Sequence, residues 1–194
     1  METGIFAAFS KKVISTIIAV GSMFYSTING VTPTMDTPEI QYKNDFIYIS
    51  TTIENCYTED LNQIFYSGNI IPVYFSIDLY QEGQKDPDPT YNFYHTLQYS
   101  PIGGDFTIFY SEQNETISSL NLDQAKIILP RIINYPATSS SNINDNINYY
   151  IKVTAWLDKI HLEGMEDELN LLYYWNSIKP SNKTALFTKS DFQI

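Results

Sequence analysis

The stretch from Ile70 to Gln81 constrains the fold more than any other part of the chain. Val73, Phe75, Ile77 and Leu79 alternate with Tyr74, Ser76, Asp78 and Tyr80. A period of two is the pattern of a strand with one face in a core and the other toward solvent. The chain is therefore expected to build a half-buried sheet around this segment.

Further strands follow from the same reasoning. After an exposed turn from Glu82 to Thr90, which carries Gly83 and Asp86-Pro87-Asp88-Pro89, the segment Tyr91–Ser100 places Tyr91, Phe93, His95, Leu97 and Tyr99 on one face. Pro101–Asp105 makes a tight reversal into Phe106–Tyr110, so three strands joined by short polar turns predict an antiparallel meander. Upstream, Asp45–Ile53 reads as a strand with Ile47, Ile49, Thr51 and Ile53 on one side. Thr58 is placed to cap a short helix whose stripe is Leu61, Ile64 and Phe65, closed by Gly68-Asn69. A second helix is expected from Leu122, because Asn121 and Gln124 have capping-box spacing and Ala125, Ile128 and Leu129 supply a stripe. Pro130 should end it. Pro136–Asn142 reads as a surface loop, Asn146–Leu157 as the longest strand, and Leu169–Asn176 as a last strand. On the Asn146–Leu157 strand, Tyr149, Ile151, Val153, Ala155 and Leu157 face inward, with Tyr150, Lys152, Thr154 and Trp156 outward.

The fold class expected is mostly β, an antiparallel β-sandwich of immunoglobulin-like type with two short helices. An N-terminal export signal precedes it. Residues 1–30 form a signal peptide or membrane anchor, 31–44 a linker and first strand entry, 45–178 the single sandwich domain, and 179–194 a C-terminal tail. The export reading rests on Lys11-Lys12 ahead of the apolar run Val13–Ile28, the charge-then-hydrophobic order of a signal. The run holds Ser15, Thr16, Gly21, Ser22, Ser26 and Thr27, which is polar and short for a spanning helix of about 20 apolar residues. Cleavage after Gly30, retention as an anchor, and a buried amphipathic helix are the three alternatives. The first two make the domain extracytoplasmic.

Composition removes several function classes. The formal net charge is −11, and a chain without a basic face is a poor partner for nucleic acid. One cysteine, Cys56, makes no internal disulfide, so packing has to hold the fold. The rest of the chain is long enough to bury roughly 68–70% of its unfolded surface. No cofactor is indicated.

Few residues point to chemistry. His95 and His161 are the only histidines and Cys56 the only thiol, and no nucleophile motif surrounds them. His95 lies on the apolar face of its strand and is expected in the core. Glu82, Asp86 and Asp88 lack the register of a calcium loop. The stronger signal is a set of aromatic residues on the outward side of the strands. Tyr74, Tyr80, Tyr94, Tyr150 and Trp156 form the candidate binding face, with Phe46 and Tyr48 also outward. Tyr and Trp combine large area with low ordering cost, the requirement of a contact surface. The competing expectation is a second core layer laid over them by the helices or the tail.

The order of these landmarks resembles an uncharacterised bacterial exported family, domain-of-unknown-function family 4390. The features that carry the resemblance run from the export segment through Ser67-Gly68, Ile70–Ile77 and His95–Tyr99 to the helix with Ala125. They continue through Tyr150–Leu157 and Trp175-Asn176, spanning roughly residues 39 to 178. The resemblance implies an extracytoplasmic domain and a link to envelope signalling, and it implies no catalytic residue. Three functions follow in order of expectation: a non-enzymatic module that binds an envelope protein, a glycan- or peptidoglycan-binding module that stacks sugars on the outward rings, and an envelope hydrolase.

Overall fold

A computed structural model of the chain describes residues 29–162 and 166–192, so all but the end of the expected export segment lies outside them. In chain order the strands are β1 (Thr34–Met35), β2 (Glu39–Lys43), β3 (Phe46–Glu54), β4 (Ile71–Gln81), β5 (Thr90–Ser100) and β6 (Asp105–Tyr110). They continue as β7 (Glu115–Leu120), β8 (Arg131–Ser139), β9 (Tyr149–Leu157), β10 (Lys159–His161), β11 (Glu168–Asn170) and β12 (Ser181–Lys183). Two α-helices, α1 (Glu59–Phe65) and α2 (Leu122–Ile128), interrupt them. No helix among the described residues is long and apolar enough to cross a membrane.

The larger sheet has six strands in the order β12-β9-β4-β5-β6-β7, antiparallel throughout. The meander expected of β4, β5 and β6 is present and extends to β7. β9 pairs with the other edge of β4, setting Val73 opposite Leu157 and Tyr80 opposite Tyr150. In the smaller sheet β3 is central. β2 and β8 flank its two edges, since both pair with residues from Phe46 to Ile49, and β1 pairs with its end at Ile53 and Glu54.

The inward faces of both sheets close one core. Ile47, Ile49 and Ile53 of β3 are buried, as are Phe75, Ile77 and Leu79 of β4 and Ile151, Val153 and Ala155 of β9. Phe93 on β5 stacks on Tyr135 of β8 at 4.7 Å between ring centroids, which joins the two sheets directly. The chain is thus mostly β, with two helices and antiparallel sheets layered as a sandwich.

Local chemistry explains both helices. Thr58 Oγ1 accepts the Leu61 N–H at 2.9 Å, and Glu59 and Asp60 occupy the first turn, where the helix dipole favours negative charge. In α2 the capping box is complete: Asn121 Oδ1 accepts the Gln124 N–H at 2.9 Å, and Gln124 Oε1 accepts the Asn121 N–H at 3.0 Å.

Two expectations need correction. Pro136–Ser139 is not loop but the end of β8. The pairing of β3 with β8 shifts register twice, so β8 buries Ile132, exposes Ile133 and Asn134, and then buries Ala137 and Thr138 side by side. That destroys the period of two, and Pro136 is tolerated because β8 is an edge strand. Leu169–Asn176 is not a strand beyond Asn170. It becomes a 3-10 turn over Leu171–Trp175, with Leu171, Tyr174 and Trp175 buried. Spacing of three and four residues is helical, and five consecutive apolar residues conceal it from a strand template. β7 carries no hydrophobic alternation, since it is an exposed edge whose one buried residue is Leu120.

The segments on either side of the expected domain also join the fold. The stretch 31–44 supplies β1 and β2, and the tail supplies β12 and the buried Phe187, which exchanges two backbone hydrogen bonds with Tyr149 at 2.8 and 2.9 Å. Val31 N–H donates to the Tyr174 carbonyl at 2.9 Å. Gly30 already packs here, and a Cβ on it would come within 2.7 Å of the Tyr173 carbonyl.

Tyr174 offers a first prediction. Its side chain is fully buried, and its hydroxyl has no hydrogen-bond partner among the described residues. A buried unpaired hydroxyl costs about 1–3 kcal/mol, so Tyr174→Phe is expected to raise stability by about 1 kcal/mol in denaturant unfolding. Burial pushes this phenol up to about 12 from its ordinary 10, with the Asp60 charge adding to the effect. The folded state holds the proton more tightly than the unfolded chain. This contribution is therefore complete below pH 10 and lost as the pH rises toward 12. Tyr174→Phe should flatten the alkaline limb of the stability profile, and an unchanged limb would contradict the assignment.

Candidate functional site on the outer face of the large sheet

The five aromatic residues singled out from sequence share one face. Because β4 pairs in register with β5 and β9, Tyr74 lies directly opposite both Tyr94 and Trp156, while Tyr80 lies opposite Tyr150. All five point away from the core, since their neighbours Val73, Phe75, Leu79, Phe93, His95, Ile151, Ala155 and Leu157 are buried. Neither helix lies over them. Tyr94 is 39% exposed and the other four are half-buried against one another. Of the covering layer weighed from sequence, the tail supplies only Lys179 and Lys183, which rest over Trp156 and Tyr150.

The rings form two rows across the strands. Tyr74 and Trp156 stack at 5.6 Å with 15° between planes, and Tyr94 tilts against Tyr74 at 6.1 Å and Phe109 at 6.3 Å. In the second row Tyr80 and Tyr150 stack at 5.0 Å and 8°. The six residues from Tyr74 to Tyr80 set the rows roughly 20 Å apart. Lys179 Nζ lies 5.4 Å from the Trp156 ring centre and Lys183 Nζ 4.9 Å from that of Tyr150. These are cation–π distances.

This packing decides what the face offers. Near-parallel rings at such separations overlap with an offset, so each covers part of its neighbour. Trp156 lies between Tyr74 and Lys179, Tyr74 between Trp156 and Tyr94, and Tyr150 between Tyr80 and Lys183. The rings present edges and hydroxyls outward. Free ring faces, which a pyranose would need, are few. Burial of Tyr80 against its neighbours, reinforced by the Asp78 charge, raises its phenol above the ordinary value, so it remains a neutral donor.

Beside the first row is a shallow groove of about 530 Å³. Gly68, Asn69, Thr96, Gln98 and His161 line it together with Tyr74 and Tyr94. The sequence weighed His161 only as one of two histidines without a nucleophile motif, and it did not single out the amides. These groups come from the α1–β4 connection, from β5 and from β10, which only the fold brings together.

The remaining candidates take structural positions. His95 is fully buried among Phe75, Phe93 and Tyr110, with ring centroids at 4.7, 5.7 and 4.5 Å. Its Nδ1 is 2.9 Å from the Leu129 carbonyl and its Nε2 is 3.2 Å from Glu112 Oε1. Cys56 is buried, its thiol is pushed up to about 12 by desolvation, and its S–H contacts the Ile53 carbonyl at 3.6 Å. It hydrogen-bonds neither histidine. Asp86 and Asp88 are exposed in the β4–β5 turn, and no cluster of metal-ligating side chains occurs among the described residues. Compared with family models, curated proteins and solved structures, the chain has no significant match.

Proposed function

We propose that this chain is a non-enzymatic protein-interaction module of the bacterial cell envelope, and that the outer face of its six-stranded sheet is the contact surface. The two cross-strand aromatic rows carry the reading. Rings held on edge by their neighbours are pre-ordered, so a partner covers large area at little cost in side-chain freedom. Export by the N-terminal segment and an immunoglobulin-like sandwich belong to this reading, as does the likeness in landmark order to domain-of-unknown-function family 4390.

The test is in-cell crosslinking of the tagged full-length chain, followed by mass spectrometry of what is captured. A reproducible envelope protein is expected, with capture lost in Trp156→Ala and Tyr74→Ala but kept in Ile133→Ala on the exposed side of β8. Capture that survives both aromatic substitutions removes this face from the interaction.

One observation favours glycan binding as a second reading. The groove beside Tyr74 and Tyr94 sets the amides of Asn69 and Gln98 next to aromatic edges, a combination suited to sugar hydroxyls. Retention on insoluble peptidoglycan, abolished by Gln98→Ala, would move the assignment there.

A further inference from the structure

We propose that the outer face docks an acidic segment of its partner polypeptide, with Lys152, Lys179 and Lys183 as the groups that receive its carboxylates. The proposal rests on the reading of this face as a protein contact surface and adds the chemistry of what binds there.

The chain is strongly acidic, with 11 Lys and Arg against 22 Asp and Glu. Three of those few cations nonetheless lie along one side of the large sheet, on β9, on β12 and just ahead of β12. Lys152 points outward from β9 between the buried Ile151 and Val153, and it stands directly opposite Lys183 of β12 in the pairing register. Like charges placed opposite each other across strands destabilise a sheet. The pair gathers positive charge at this edge of the sheet. Lys152 also faces Asp78 on β4, whose charge offsets part of its own without a direct ion pair; Asp78 Oδ1 accepts the Ser76 hydroxyl at 3.0 Å and the Thr90 hydroxyl at 2.8 Å.

Among the described residues, none of the three lysines is in an ion pair. Lys159 and Lys189, by contrast, pair with Glu168 and Asp145 at 3.7 and 3.6 Å. Lys179 and Lys183 rest instead over the rings of Trp156 and Tyr150. A ring beneath an ammonium group holds it in place without neutralising it, so its charge stays available to an incoming anion.

The same rings select the class of anion. Trp156 and Tyr150 each carry a stacked tyrosine and a lysine, which leaves them little stacking surface for an acidic sugar. Ring edges, phenol hydroxyls and ammonium groups suit the carboxylates and backbone carbonyls of a peptide. The roughly 20 Å between the rows matches an extended segment of about six residues.

The experiment measures fluorescence polarisation of fluorescein-labelled decaglutamate with the full-length chain, using decalysine and polygalacturonate as comparison probes. One variant carries Lys152→Gln, Lys179→Gln and Lys183→Gln. A second carries Lys43→Gln, Lys126→Gln and Lys159→Gln, which removes the same charge from other surfaces. Both are required to keep the parent far-UV spectrum and melting temperature. Decaglutamate is expected to bind in low salt, with affinity falling about tenfold in the first variant and less than about twofold in the second. Absence of decaglutamate binding overturns the proposal, as does equal weakening in both variants. Tighter binding of polygalacturonate overturns it in favour of an acidic glycan. Self-association of the parent chain in sedimentation, lost in the first variant, overturns it in favour of a second copy. If the crosslinked envelope partner is lost in Tyr74→Ala but kept in the first lysine variant, the acidic-segment proposal falls while the contact-surface reading stands.

Discussion

Trp175→Ala is expected to lower the unfolding free energy by about 3–5 kcal/mol, the usual cost of deleting a buried large aromatic side chain. Trp175 is 2% exposed and is among the largest fully buried side chains described. Its Nε1–H donates to the Cys56 carbonyl at 2.8 Å, which ties the 3-10 turn to the start of the α1 connection. Alanine leaves both a cavity and an unpaired buried carbonyl, and each adds to the loss. For a chain of this size the melting temperature should fall by roughly 10 °C. Trp175→Phe refills much of the volume but not the hydrogen bond, so its cost should be intermediate. Calorimetry of the two variants separates the terms. A phenylalanine variant as stable as the parent would mean that the hydrogen bond contributes nothing.

The second large effect is expected at the buried His95–Glu112 pair. The imidazole has no exposed surface and the carboxylate side chain is 9% exposed. If Nδ1–H donates to the Leu129 carbonyl, one further proton is shared between Nε2 and Glu112 Oε1 across 3.2 Å. Removing one member of such a pair leaves the other desolvated without a partner. Glu112→Leu is accordingly expected to cost about 3 kcal/mol. Glu112→Gln offers an amide N–H that can donate to the unprotonated Nε2 and should cost less than half as much. Its second carboxylate oxygen already has no partner among the described residues, so the amide gives up little there. Chemical unfolding of the three proteins decides the matter. Equal losses for leucine and glutamine would show that volume, not the hydrogen bond, is what the carboxylate supplies.

The two effects differ in how far the sequence reveals them. His95 falls on the apolar face of β5 by its parity with Phe93 and Leu97, so its burial is readable. Glu112 as its partner is not, because it lies in the β6–β7 turn, which carries no local signal. Trp175 is visibly a core residue, but the run Leu171–Trp175 does not reveal whether a strand or a turn buries it.

The candidate site divides in the same way. Which side chains of β4, β5 and β9 point outward follows from a period of two along each strand. That these strands lie side by side, with Tyr74 between Trp156 and Tyr94, is a matter of register between segments far apart in the chain. The lysines make the point more sharply. Lys179 and Lys183 fall in a tail with no readable periodicity, and they reach Trp156 and Tyr150 only because β12 pairs with β9.

By itself, then, the sequence determined the character of β3, β4, β5, β6 and β9, the caps of both helices and the faces of those strands. These depend on residues within a few positions of one another, where backbone geometry alone decides which side chains meet. Only the tertiary structure decided the strand order, the bulged course of β8, the docking of the tail and the joining of aromatic rows to lysines. Those depend on which distant segments share a hydrogen-bond ladder, and a linear pattern carries no information about that choice once bulges and exposed edges have erased its period.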